Sequence, residues 1–352
     1  MKHFTKQLMT GCLAVSLVFG CMPAHAEKTG GNEVAGLIKG LELGKPFTYK
    51  NLTIVPIYSK KVAYRENYLT LDEAVKNGSV LITELEGGRV PQVKVINKSG
   101  SYVFMMAGEI LTGARQNRLV GKDVLLPPYS KEVVVPVYCV ERGRWHGKSY
   151  EFSSTGIAAA PMFRKNAAEK ASQGAIWDNV ANYSMALGVS SETGDLSAAY
   201  SDTTVEERAK CYIGAMEQAI PRLEKDAIGV AVAIGGKIVT IDVFENPRLF
   251  GKLWPKLLRS YAMGAIAECY GEEDIQIAQD EVKNILNQLY GGRYERKPGI
   301  AAGEDLSLAT DTLTSSALAY KSGVVHLSAF PDGGGTGRRP VIDDNERIPV
   351  LY

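Results

Sequence analysis

The chain has 352 residues, 45% of them hydrophobic and 22% charged, with a formal net charge of +1. That is the composition of an ordinary globular protein and excludes disordered, collagen-like and many-span membrane chains. So little net charge gives no global field to draw a polyanion, and nucleic acid is not an expected partner.

The first 26 residues stand apart. Lys2, His3 and Lys6 form a basic start, Leu8 to Gly20 is an apolar run of 13 residues, and Ala24-His25-Ala26 is a small-x-small cleavage signal. The run falls short of the ~20 residues needed to cross a bilayer, so the segment reads as a secretory signal peptide cut before Glu27. The expectation is an exported chain, periplasmic or secreted, with no transmembrane helix in its mature form. Lipid attachment at Cys21 fits less well, because bulky Phe19 sits beside the cleavage position. Cleavage removes two lysines and no acid, leaving 38 basic against 39 acidic residues.

The mature chain is read as one α+β domain, 27–352, with flexible ends at 27–35 and 332–352. Its cysteines are Cys139, Cys211 and Cys269 and its histidines His146 and His326. No C-x-x-C or other metal spacing is present, so no metal is expected, and no cofactor fingerprint is read. In an oxidising compartment one cysteine pair could bridge, with one thiol left over; Cys139 in its apolar strand reads as buried and inert.

Strands come first. Residues 50–59 alternate with period two, TLDEAVKNG (70–78) is a short helix capped by Thr70 and ended by Gly78, and SVLITELE and VPQVKVIN are strands. A turn at 97–100 leads into an apolar strand from Tyr102 to Leu111. Next lies the polar knot Arg115-Gln116-Asn117-Arg118, and then the strand VVVPVYCVE. After Trp145 the period changes: helices are expected over 164–188 and over Thr204 to Ile220. Between them, SSETGDLSAAYSD is a polar segment of the kind that covers a site or forms a plain surface loop.

Ile228–Ile234 and Lys237–Phe244 flank Gly235-Gly236, which suits a type I′ hairpin turn. Asn246-Pro247 starts a long helix with a kink or a short break expected at Pro255. Another helix runs over about 273–290, the segment 292–305 reads as loop, and two strands, 307–321 and 323–330, return to the first sheet. Strands on either side of a helical middle make the fold class α+β, with mostly antiparallel sheet.

The chemistry is read from misplaced charge. Glu109 and Glu141 lie inside apolar strands, and burying an ionised carboxylate costs several kcal/mol unless a cation or several donors replace the water. Gly113 could form a bulge. Without one, Glu109 shares a face with Arg115 and Asn117; with one, it shares a face with Gln116 and Arg118. Three readings follow: a binding site for a small polar anion, a hydrolase with Glu109 or Glu141 as general base, and a structural knot that pins a hairpin.

GEILTGARQNR (108–118), VPVYCVERGRW (135–145), AIGGKIVTIDVF (233–244), LWPKLLRSYAMGAIA (253–267) and VVHLSAF (324–330) together resemble the ADP-ribosylglycohydrolase and rhodanese-phosphatase associated protein family, a domain of unknown biochemical activity. The resemblance implies a nucleotide-like or phosphorylated ligand. Carried onto this chain, the polar motif positions are Glu109, Gln116, Asn117 and Arg118, then Glu141, Arg144 and Trp145, with His326 from the last strand. With Arg115 they make up the expected ligand-binding set.

Overall fold

The computed structural model describes residues 32–60, 66–85, 91–144, 149–220, 223, 227–268, 277 and 279–332. The chain opens with α1 (Asn32–Ile38), β1 (Leu41–Leu43), β2 (Phe47–Tyr49), β3 (Leu52–Ser59), β4 (Leu69–Thr70) and α2 (Leu71–Lys76). Strands β5 (Val80–Glu84), β6 (Gln92–Asn97), β7 (Val103–Met105), β8 (Glu109–Gly113), β9 (Arg118–Val120), β10 (Val124–Leu126), β11 (Val133–Cys139) and β12 (Phe152–Ala158) follow. The helical middle is α3 (Pro161–Ala168), α4 (Gln173–Leu187), α5 (Leu196–Ser201) and α6 (Thr203–Ala219). Then come β13 (Gly229–Ile234), β14 (Lys237–Phe244), α7 (Pro247–Ala267), α8 (Gln279–Gly291), β15 (Glu295–Pro298), β16 (Glu304–Ala309), β17 (Leu313–Tyr320) and β18 (Gly323–Pro331). The fold is α+β.

First and last strands share one antiparallel nine-stranded sheet, in the order β1-β3-β13-β14-β18-β17-β16-β15 with β2 also on β3. Helix α7 lies across one face of its centre, with α4 and α6 beside it. A second core under α1 and α8 covers the other face, built from residues such as Val55, Ile241, Leu306 and Leu327. Being covered on both sides, β13 is buried at every residue. A six-stranded sheet, β12-β8-β9-β11-β6-β5, curls until Thr83 and Glu151 of its two edges form a bridge, and a three-stranded sheet, β10-β7-β4, packs against it over a third core. Here β6 alternates between half-buried and buried residues, as a sheet with one wet face must.

Local chemistry explains most boundaries. Thr70 and Glu73 form a reciprocal capping box at α2. The Gly235-Gly236 turn has φ of 57° and 76°, the positive pair a type I′ turn needs. Seven expectations are corrected. The leader read over 27–35 gives way at Asn32 to α1, whose Glu33 pairs with Arg296 at 2.6 Å. The 102–111 strand is split at Met106–Gly108, where Gly108 adopts φ of 92°. The 164–188 helix is two helices, broken where Lys170 has φ of 57°. Helix α7 runs through Pro255 as one element, without the short break; its flanking turns are packed on the sheet, which holds them together despite the missing N–H. The loop read over 292–305 contains β15 and the start of β16, and the 307–321 strand turns at 310–312. Asp332, placed in the flexible tail, pairs with Lys165. Residues 1–31, 145–148, 333–352 and Cys269 lie outside the described residues; Cys139 and Cys211 are free thiols.

Candidate functional site

The expected site residues separate into three places. Glu109, at the start of β8, accepts from the Met106 N–H at 2.7 Å and pairs with Lys256 of α7. Lys256 also meets Asp72, in the first turn of α2, at 2.5 Å. Glu109 and Lys256 are buried. Burial works against the ammonium charge, yet the carboxylates of Glu109 and Asp72 outweigh it and hold Lys256 above its ordinary pKa. The cation that Glu109 required comes from a helix 147 residues away, not from the adjacent knot.

Neither of the two face arrangements weighed for the knot occurs. The chain reverses at 114–117, so that Ile110 pairs with Leu119 and Leu111 with Arg118, and the knot is the tip of a hairpin. Arg115 lies toward the surface and pairs with Glu84 at 3.4 Å. Arg118 is buried, with Nη1 donating to the Gln116 carbonyl and to Gln116 Oε1, each at 3.2 Å. The Cys139 thiol donates to the same Oε1 at 3.1 Å.

Asn117 is the centre of the second place. Its N–H donates to Glu141 Oε2 at 3.1 Å, and its Nδ2 donates to Asp195 Oδ2 at 3.0 Å and Ser197 Oγ at 3.3 Å. Its Oδ1 accepts from Gly113 N and from Arg144 Nη2, both at 3.2 Å. Arg144 grips Glu141 through Nε at 2.8 Å and Nη2 at 2.7 Å, and reaches the Ala114 carbonyl at 2.7 Å. Thr193 donates to Glu141 at 3.0 Å. Burial raises the Glu141 carboxyl, but Arg144, the Asn117 N–H and Thr193 bring it below its ordinary value. The segment 190–202, read as a cover or a plain loop, crosses this cluster: a bridge joins Glu141 to Asp195, which caps α5. Beside the cluster opens a hollow of ≈ 790 Å³, with Thr112, Asn117, Arg144, Asp195 and Ser197 in its wall. Trp145 lies outside the described residues.

His326 belongs to a third place. Its Nδ1 lies 2.7 Å from Asp123 and its Nε2 3.2 Å from Asp242. Asp242 takes both Nη atoms of Arg164, at 2.9 and 2.5 Å, and the Tyr261 hydroxyl at 2.6 Å. All five side chains are in the interior, and Phe244 stacks on the imidazole with ring centres 4.2 Å apart. Burial opposes every charge here, yet Arg164 and His326 hold the Asp242 carboxyl well below the carboxylate range, while Asp123 and Asp242 raise the imidazole above its ordinary pKa. Arg164 and Asp123 reach one end of a cleft of ≈ 1020 Å³.

Sequence reasoning missed Asp72, Asp123, Arg164, Asp195, Asp242, Lys256 and Tyr261. Asp242 carries the same signal as Glu109, an acid inside an apolar strand, and was legible on that ground. Arg164 and Lys256 sit in helices whose pattern gives no hint that these cations point inward.

Neither large cavity includes Glu109 or Glu141 in its wall. No group of three or more His, Cys, Asp or Glu among the described residues is arranged to hold a metal ion, and no helix among them is long and apolar enough to cross a membrane. A family profile described as the ARG and Rhodanese-Phosphatase-superfamily-associated Protein domain matches residues 40–330. No curated protein and no solved structure matches the chain.

Proposed function

The chain belongs to the family that this profile defines, and from that premise we propose that it binds a small polar or phosphorylated ligand, nucleotide-like or ADP-ribose-like, in the hollow beside Asn117 and Arg144. One observation carries the reading: the polar cluster is fixed from behind yet has an open face. Glu141, behind Arg144, sets the plane of the guanidinium, and the ≈ 790 Å³ in front lies within the range of small-molecule sites. Thr112, Ser153 and Ser197 supply hydroxyls to phosphate or sugar oxygens, Lys98 supplies positive charge, and Asp195 accepts from a ribose hydroxyl. The basic start, short apolar run and small-residue cleavage signal of residues 1–26 support export of the mature chain.

A hydrolase built on Glu109 or Glu141 has less support. Glu109 is sealed against Lys256, and Glu141 is held as a carboxylate by Arg144, so neither is placed to exchange a proton with a substrate. A structural clasp is favoured by a specific observation: both Asn117 amide groups already have partners within the protein.

Calorimetric titration of the mature chain with ADP-ribose, AMP and ribose 5-phosphate separates the two. Binding weakened at least tenfold in Thr112→Val, with an unchanged melting temperature, supports the ligand site. If no compound in the panel binds, the clasp reading stands and the ligand reading fails.

A further inference from the structure

The large sheet is apolar on the face under α1 and α8, but the opposite face of its C-terminal strands carries a polar row. Asp242 lies opposite Ser328, Ser328 opposite Ser316, Ser316 opposite Ser307, and Ser307 opposite Glu295. Residues directly opposed in antiparallel strands share a face, so this is one line of side chains crossing five strands. Their neighbours Leu306, Ala317, Leu327 and Ala329 point the other way into the second core. Within the row the Ser316 and Ser328 hydroxyls lie 3.0 Å apart, close enough to hydrogen-bond to one another.

Strand interiors favour β-branched and aromatic side chains that pack on a neighbour. Three serines in register are poor packing material, and over them the fold leaves the cleft of ≈ 1020 Å³, with Ser307, Ser316, Ser328 and Glu295 in its wall. The ions around it largely cancel in pairs: Lys122 with Asp305 at 2.9 Å, Lys297 with Glu295 at 2.8 Å, Lys165 with Asp332, and Arg164 with Asp242. A wall of paired charges and hydroxyls offers alternating donors and acceptors without a net field to hold an anion.

We propose that this cleft is a carbohydrate site, taking a neutral mono- or disaccharide whose hydroxyls lie along Ser328, Ser316 and Ser307. Strand spacing sets successive serines roughly 4.8 Å apart, about the span across one sugar ring, so hydroxyls on opposite sides of the ring meet adjacent strands. The carboxylates of Glu295 and Asp305 accept from the outer hydroxyls, and Lys122 and Lys297 donate to them. No residue is shared with the hollow beside Arg144, and neither reading needs the other.

The test is titration of the mature chain with glucose, galactose, ribose, N-acetylglucosamine, maltose and cellobiose, followed by calorimetry and by saturation transfer to the sugar protons. At least one sugar is expected to bind, at least tenfold more weakly to Ser316→Val and to Ser307→Val, and unchanged to Thr112→Val. Both valine variants suit a strand, and should one fail to fold the other still decides. The proposal is overturned if no sugar in the panel binds, if binding survives intact in both serine variants, or if only phosphorylated forms of these sugars bind.

Discussion

Glu109 and Glu141 look alike in the sequence, each an acid in an apolar strand, and the tertiary structure treats them in opposite ways. Glu109 is sealed between β8 and α7 with Lys256, in the same style as Asp242 with Arg164 and His326. Glu141 sits at the wall of a curled sheet, held by an arginine three residues away and backed by a hollow. The difference shows that an acid in an apolar run signals only a required partner. Where the partner comes from decides whether the pair is a rivet or the back of a site.

The sealed side should break hardest. Asp242→Asn leaves Arg164 and His326 with too little compensating charge, and is expected to lower stability by ~3–5 kcal/mol, the range for removing one partner of a buried ion pair; urea denaturation measures it, and a loss below about 1 kcal/mol would erase the contrast. Glu109→Gln is expected at the lower end, ~3 kcal/mol, because Asp72 still neutralises Lys256. The double variant Glu109→Leu with Lys256→Met should recover most of that loss, since no buried charge then lacks a partner.

A pH series sharpens the same comparison with a smaller effect. The pKa of His326 is raised in the folded state, so its contribution is complete below the ordinary value of 6.5 and fades as pH rises through the elevated one. Asp242 is depressed, so its contribution is complete above its ordinary 3.8 and is lost only on strong acidification. The network therefore stabilises most between these two ordinary values. Urea midpoints should fall between pH 6 and 9 in the wild type, and a His326→Gln chain that shows the same fall would refute the assignment.

The open side should yield least. Glu141→Gln keeps one acceptor oxygen for the Asn117 N–H or Thr193 and leaves its cation, Arg144, in the wall of the hollow where solvent can reach it, so ~1–2 kcal/mol is expected, the cost of weakened hydrogen bonds. Ser197→Ala should stay within ~0.5 kcal/mol, as for a substitution away from the core; thermal unfolding resolves both.

Much of the architecture was legible because period and caps are local. The capping box at Thr70, the Gly235-Gly236 turn and the helical middle follow from residues within a few positions of each other. What was misread depends on neighbours far along the chain: α1 forms where Glu33 meets Arg296, and α7 continues through Pro255 because the sheet beneath it holds both sides. For the site, Gln116, Asn117, Arg118, Glu141 and Arg144 do come together, whereas Glu109 and His326 go elsewhere and Arg115 turns outward.

The sequence by itself determined which residues could not be left alone: hydration makes Glu109, Arg118, Glu141 and Asp242 demand partners in any compact state, and the short apolar runs around Glu109 and Asp242 marked those segments as strands. Only the tertiary structure decided the partners, because Lys256, Arg164 and the serine row reach their places through helix packing and strand register. Those are long-range contacts that no local pattern encodes.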